Sequence, residues 1–443
     1  MQSGDSPILD LAGVGIGPFN LSTAALAEPI PTLSARFFER RSEFYWHPGL
    51  LFPNATIQVS FLRDLVTLVD PTNPYSFLAF LAEHRRLYRF LNSNFDRVAR
   101  QEYNQYLRWV CGKLRSLSFA SNVEGLTFEH GEKAFQLQIK GDRRYRARNV
   151  VLGTGRRPKV PECARPHLCE SVFHASEWFH RFVDCTGKRV AVIGGGQTGA
   201  EMVDYLIRNS VRLPSRVTWI TRRNNFYPLD ESPFTNEIFT PAYSDYFFGL
   251  STETQAYLLE EQKLASDGIS TALLERLYRR LYELEFLEDL GSAFALYPGH
   301  SLDSMVATGP STWELQASNA LTGERNGLAA DIVILCTGYD NAIPPFLEPL
   351  LGSASVEEQN LPVREDYSIE WDGPAESRIF VQNAARHCRG VADPNLSLMA
   401  RRSAKILNSV MGRPYYDVED TQPTLSLPTL VPQEERIPEE VLS

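Results

Sequence analysis

The six cysteines, at positions 111, 163, 169, 185, 336 and 388, include no Cys-x-x-Cys pair, and their scatter suits neither a zinc site nor a disulfide framework. No apolar run approaches the ~18–20 residues of a membrane span. The first residues, Met1-Gln2-Ser3-Gly4-Asp5, carry neither a basic segment nor an apolar one, which argues against a secretory signal and for a cytoplasmic chain. Basic charge is in deficit: 44 Lys and Arg stand against 54 Asp and Glu, a net charge of -10. A nucleic-acid partner needs a basic face, and pairs such as Arg85-Arg86, Arg143-Arg144 and Arg401-Arg402 are too local to supply one. What remains is an ordinary globular composition, 43% hydrophobic, long enough at 443 residues for two or three cored domains.

Against that plain background two glycine turns stand out. Gly15-Ile16-Gly17-Pro18-Phe19-Asn20 follows the apolar run Ile8 to Val14, and Gly194-Gly195-Gly196-Gln197-Thr198-Gly199 follows Val190-Ala191-Val192-Ile193. Each has the strand, turn and helix context that makes a dinucleotide fingerprint credible. Glycines there permit a tight turn and let backbone approach a pyrophosphate, which sits at the positive end of the next helix. Two such units in one chain describe a two-cofactor redox enzyme.

The residues about twenty positions downstream indicate which dinucleotide each turn takes. The first unit continues through Ala35-Arg36-Phe37-Phe38 to Glu39, an acid placed for ribose hydroxyls. The second continues through Arg216-Val217-Thr218-Trp219-Ile220-Thr221 to Arg222 and Arg223. Arginine accommodates a 2′-phosphate where an acid would repel it, so FAD is expected at the first turn and NADPH at the second. A solvated basic pair is the plainer account of the two arginines. Asn20 stands where a third glycine is usual, which predicts looser packing of that helix on its strand. Without a closely spaced cysteine pair the flavin has no dithiol to reduce, and molecular oxygen becomes the leading electron acceptor.

The segments Arg146 to Gly155 and Asp331 to Tyr339 both read as a buried strand entering a Thr-Gly turn, typical of chain crossings between domains. The expected architecture is α/β: two Rossmann-like dinucleotide-binding domains with a small helical substrate subdomain. Residues 1–185 and 331–415 would form a discontinuous FAD domain, and 186–330 an inserted NADPH domain whose helical stretch, about 235–290, faces substrate. Residues 416–443, rich in Pro, Glu and Thr, read as an extended arm or a disordered tail.

The stretch Gly13-Val14-Gly15-Ile16-Gly17-Pro18-Phe19-Asn20-Leu21 resembles the N-terminal signature of microbial N-hydroxylating flavin monooxygenases, the lysine, ornithine and diamine N-monooxygenases of siderophore biosynthesis. Similar stretches are Tyr45-Trp46-His47-Pro48-Gly49, Gln58 to Leu65, Asp70 to Phe77, Phe173-His174-Ala175-Ser176-Glu177, Arg222 to Phe226 and Gly390 to Leu398. The likeness runs to about residue 413. It implies a class B-like fold, commonly dimeric or tetrameric, in which NADPH reduces FAD, oxygen gives a C4a-hydroperoxyflavin, and a substrate amine attacks the distal oxygen. No catalytic residue is implied beyond the flavin. A lysine-type amine with pKa near 10.4 is neutral in only about one molecule in two thousand at pH 7, so a dry pocket that lowers this pKa suits the chemistry.

Site residues follow from the resemblance position by position. Arg63 stands where the family typically has a lysine that binds the substrate carboxylate; arginine binds carboxylates too, or the change marks a substrate without one. Asn236 and Ser397 match substrate contacts, and Asp267, in Ser266-Asp267-Gly268, matches a substrate or coenzyme loop more loosely. Gln58 matches a glutamine near the flavin, Trp46 and His47 either line the flavin or belong to the core, and Gln197 is expected to face the nicotinamide. Asn236 and Ser397 would alternatively be helix caps. His387-Cys388 lacks spaced partners for a metal. The implied function is N-hydroxylation of a small aliphatic primary amine, with cadaverine and then putrescine favoured over L-lysine and L-ornithine. The alternative of another class is an uncoupled NADPH oxidase or flavin reductase.

Overall fold

The computed structural model describes residues 7–95, 97–181, 183–208, 210–351, 360–419 and 423–428. Two parallel-rich sheets organise the chain. The first is built around Leu9–Val14, which pairs in parallel with Ala35–Phe38 on one side and with Arg143–Leu152 on the other. Leu117–Ser118 extends one edge, and the hairpin Val123–Glu129/Ala134–Ile139 extends the other. Ile379–Val381 joins the end of Arg143–Leu152, so chain from beyond the second unit completes this sheet. Leu11, Ala12, Val150 and Val151 are fully buried, as expected for strands covered on both faces.

The second sheet is wholly parallel, in the order Phe294–Pro298, Arg216–Thr221, Arg189–Ile193, Ile332–Leu335, Val172–His174. A three-stranded antiparallel sheet, His300–Gly309, Thr312–Asn319 and Arg325–Ala330, packs beside it through Met305, Trp313 and Leu315. Two of the strands of the second sheet flank the boundaries expected at 185 and 331. Val172–His174 and Ile332–Leu335 hydrogen-bond into the second sheet, and a strand belongs to the sheet that satisfies its backbone. The chain crosses between the two sheets at Arg157–Pro158 and Tyr339–Asp340, which pair antiparallel. His174 fastens that crossing by meeting Gly338 O at 3.0 Å through Nε2, while Nδ1 accepts from Ser176 N at 3.2 Å.

The helical stretch expected at 235–290 divides between the two units. Thr271–Phe286 buries Leu273, Leu277 and Leu284, spaced on one helical face, against the helix Gln197–Ile207 of the second unit. Pro241–Phe248 and Thr252–Glu261 pack instead on Arg386–Arg389, within reach of Met399–Met411. Asp245 ties them there through Arg389 at 2.9 Å, Arg401 at 2.8 Å and Lys405 at 3.2 Å. The final helix, Met399–Met411, lies along Pro18–Ala27, with Thr23 Oγ1 bonded to Ser403 Oγ at 3.0 Å. The start of the expected tail is anchored: Tyr416 is buried and its hydroxyl donates to Leu26 O at 2.5 Å. Residues 420–422 and 429–443 of that tail lie outside the described residues. No helix of the described residues is long and apolar enough to cross a membrane.

Candidate functional site

At the first turn Gly15 has φ +86°, and a Cβ there would stand 2.4 Å from Gly153 O. Gly17 caps the helix that starts at Pro18, whose missing N–H costs nothing at a first-turn position. Glu39 curls back from the strand end: its carboxylate accepts from Ile16 N at 2.9 Å and from Arg41 N at 3.0 Å. Asn20 differs from the loose packing expected of it. It is fully buried, and its Nδ2 donates to Gly15 O at 2.8 Å and lies 3.3–3.4 Å from the carbonyls of Val14 and Val151. The missing third glycine is supplied across the sheet by Gly153, where any Cβ would fall 2.5 Å from that amide. The Asn20 side chain therefore stitches helix to strands rather than spacing them.

Above this turn runs the loop carrying Trp46, His47 and Gln58. Trp46 packs on Tyr103 with tilted rings, centroids 5.3 Å apart, and is partly buried against the core of the first unit. His47 keeps solvent-accessible surface, yet desolvation, then Arg100 and Arg41, push its pKa down to about 4. Its neutral form suits a cofactor surface better than a cation would. Gln58 leaves Nε2 buried without a partner. An unmade buried donor costs ~1–3 kcal/mol, and it fits a group that accepts a hydrogen bond there, as an isoalloxazine edge does. Together with the turn and Glu39, these residues fit FAD.

The second turn repeats the device with different side chains. Gly194 has φ +129°, with Cys336 O 2.1 Å from any Cβ, and Gly199 leaves room for Gly194 O at the same distance. Gly196 caps the helix Gln197–Ile207, so the free N–H groups at its start, Thr198 among them, face the strand ends. Trp219 donates from Nε1 to Gly194 O at 2.8 Å and stacks on Phe226 at 3.8 Å. Of the two arginines only Arg222 is exposed and without an ion pair among the described residues; Arg223 donates to Asp267 O at 2.8 Å. Gln197 is spent internally, donating to Glu201 at 2.8 Å and accepting from Ser270 N at 2.9 Å. Glu201 in turn holds Arg100 bidentately at 2.8 and 2.9 Å, which latches the second helix to the loop beside Gln58.

The candidate substrate residues separate into groups. Arg63 and Ser397, distant in sequence, meet: the guanidinium donates to Ser397 Oγ at 2.5 Å. Arg63 forms no ion pair among the described residues, and burial lowers its pKa. Ser397 accepts that bond while its own hydroxyl donates to Asn395 Oδ1 at 2.6 Å, and its backbone N–H is held by the same oxygen. The expected N-cap at this turn is therefore Asn395, not Ser397. Asn236 is exposed and its side chain caps nothing, so the capping account fails. Asp267 stands beside the second turn, bonded to Ser266 Oγ at 2.8 Å and 3.6 Å from Arg386, in no contact with Arg63 or Ser397. The roles of Arg100, Glu201 and Gly153 were not legible in the sequence, because they rest on contacts between residues far apart in the chain, 101 positions for Arg100 and Glu201. Among the described residues, His387 hydrogen-bonds to Leu361 O at 3.0 Å, with no metal-ligating neighbour.

Two dinucleotide cradles in one chain, with six free and dispersed cysteines and so no dithiol, define a flavin- and nicotinamide-dependent oxidoreductase. The chain belongs to the L-lysine 6-monooxygenase/L-ornithine 5-monooxygenase family, whose model matches residues 7–341. It is 43% identical over 411 residues to the L-lysine N6-monooxygenase of Escherichia coli, covering 93% of this chain and 96% of that one. It is 34% identical over 424 residues to a putrescine N-hydroxylase of Shewanella oneidensis, with 94% and 83% covered. Among solved structures, the FAD-bound cadaverine monooxygenase of Erwinia amylovora superposes with a TM-score of 0.89 at 30% identity, over 96% of this chain and all of that one. An ornithine N-hydroxylase from Kutzneria, with reduced FAD, NADP+ and L-ornithine, gives 0.83 at 29% identity over 92% and 99%. The chain is thus an FAD- and NADPH-dependent N-monooxygenase that acts on a small aliphatic amine, of the kind that serves siderophore biosynthesis.

Proposed function

We propose that the substrate is L-lysine, hydroxylated at its side-chain nitrogen, with Arg63 as the clamp for the α-carboxylate. The observation that carries this reading is a half-buried guanidinium with no acidic partner among the described residues, oriented by Ser397. An arginine fork matches a carboxylate and strengthens as water leaves. The second ammonium of a diamine would meet the same positive charge and be repelled. Cadaverine, ranked first on sequence grounds, is the second reading, favoured by the close superposition on the cadaverine enzyme.

In this reading FAD occupies the turn of Gly15, Gly17 and Pro18, with Glu39 on its ribose, and NADPH occupies the turn of Gly194, Gly196, Thr198 and Gly199. Arg222 takes the 2′-phosphate. Bound FAD, reduced by NADPH, supplies the activation of oxygen. The protein binds the amine by its remote end, keeps water away and favours the neutral amine by desolvation. Asn236 reaches the substrate's α-amino end. The domain division follows the two sheets, and the enzyme works in the cytoplasm as a homodimer or homotetramer. The exposed stripe Tyr278, Tyr282 and Phe286 on one helix supports an interface. Hydroxylamine formation from L-lysine, cadaverine, putrescine and L-ornithine, measured beside NADPH consumption, tests the reading. Preference for a diamine overturns the clamp, and peroxide without hydroxylamine would return the uncoupled oxidase.

A further inference from the structure

A second cationic locus lies where the chain crosses between the units. Arg156 follows the Gly153–Gly155 turn, and Arg386 opens the short helix Arg386–Arg389. Arg156 has no acidic partner among the described residues, and Arg386 has one long ion pair, to Asp267. Arg156 makes no hydrogen bond or ion pair among the described residues, and its Nε is buried and unpartnered. Arg386 also has a buried, unpartnered Nε, and it reaches Asp267 only at 3.6 Å and Ser266 Oγ at 3.5 Å. The paired strand ends Leu152 and Val381 bring the two together: Arg156 and Arg386 follow them closely, and Thr154 and Gly155 line one small cavity with Asn383 and Ala384. Desolvation first, and then the charge of Arg386, lower the Arg156 pKa, in keeping with that placement. The other carboxylates of this locus are engaged elsewhere: Asp340 with Lys159 at 3.1 Å and Asp393 with Arg402 at 3.1 Å.

Asp267 connects this pair to the second glycine turn. Its carbonyl accepts from Arg223 and lies 3.9 Å from where a Cβ of Gly196 would stand, while its carboxylate faces Arg386. One residue therefore separates the arginine pair from the mouth of the turn. We infer that Arg156 and Arg386 clamp the pyrophosphate of the nicotinamide coenzyme where it passes from the second turn toward the first. Two guanidiniums match a group of two negative charges, and each orphan Nε gains an acceptor. An amine substrate arrives as a cation and is repelled by the same pair. The inference rests on the coenzyme lying at the second turn, as proposed above.

Two coenzyme fragments separate the claims. ADP-ribose carries the pyrophosphate without a 2′-phosphate, and adenosine 2′,5′-bisphosphate carries the 2′-phosphate without a pyrophosphate. Calorimetric titration of the FAD-loaded enzyme with each is the test. Arg156→Gln and Arg386→Gln are each expected to weaken ADP-ribose about tenfold, the loss of one charge-assisted contact, and to change the bisphosphate less than about twofold. Arg222→Ala should do the converse. Unchanged ADP-ribose affinity in both glutamine variants overturns the clamp, as does a rise confined to the KM of the amine. If wild-type enzyme binds neither fragment, the coenzyme assignment itself falls and the clamp with it. FAD content and the milder Arg386→Lys, expected to retain part of the affinity, separate a lost contact from a lost fold.

Discussion

The two glycine turns share a backbone and differ in how they are closed. The first is sealed from within: Glu39 caps the Ile16 N–H, Asn20 stitches three carbonyls, and the helix Met399–Met411 covers Pro18–Ala27. The second is walled by Trp219 stacked on Phe226, and its strand end carries the exposed Arg222. Backbone geometry makes a dinucleotide site; side chains at the strand end and behind the turn decide which dinucleotide, and how firmly it is kept. A deeply closed turn suits a resident flavin, and an open, positively edged turn suits a coenzyme that comes and goes.

The strongest way to break the comparison is at the backbone. Gly15→Ala would place a methyl 2.4 Å from Gly153 O at a left-handed φ, beyond the ~1–2 kcal/mol that φ alone costs. The variant should purify without FAD and melt several degrees lower, as read by flavin absorbance and a thermal scan; a yellow, wild-type-like protein would refute the cradle. Next, Arg63→Ala should raise the KM for L-lysine by about a hundredfold, the worth of a desolvated charge-assisted pair, while cadaverine turnover stays level or improves. Equal losses on both amines would make Arg63 structural.

Arg222→Ala should weaken NADPH by about tenfold and leave NADH nearly unchanged. Arg223→Ala should show little coenzyme discrimination and a lower melting temperature, because its guanidinium holds the Asp267 carbonyl. If Arg223 proves the discriminating residue in stopped-flow flavin reduction, the division drawn between the two arginines is wrong. The smallest effect concerns the crossing. Burial lowers the His174 pKa, and Nδ1 must stay unprotonated to accept from Ser176 N. A histidine with a depressed folded pKa contributes stability above its unfolded pKa of about 6.5, and this is lost as pH falls through the folded value. Lowering pH from 7.5 to about 5.5 should therefore cost wild type more melting temperature than His174→Gln; parallel curves would remove His174 from the account.

Local signals were legible where the chain writes them in one place. Both glycine turns, the acid at Glu39, the arginines after Thr221 and the absence of a dithiol are each contained in about twenty-five residues, because a strand–turn–helix unit is a local object. Sequence alone thereby determined a two-dinucleotide redox enzyme, and the resemblance of its longer stretches to N-hydroxylating monooxygenases implied the kind. The sheet to which Val172–His174 and Ile332–Leu335 belong was not legible, because it depends on which sheet accepts their hydrogen bonds, and a buried apolar strand looks the same in either. Only the tertiary structure could bring Arg63 to Ser397, give Gly153 to Asn20, tie Gln197 to Ser270 rather than leave it facing a coenzyme, and bring Arg156 and Arg386 to one locus. Those pairings join residues from 73 up to 334 positions apart. Chain folding, not sequence spacing, decides which lone polar groups find partners and which are left waiting for a ligand.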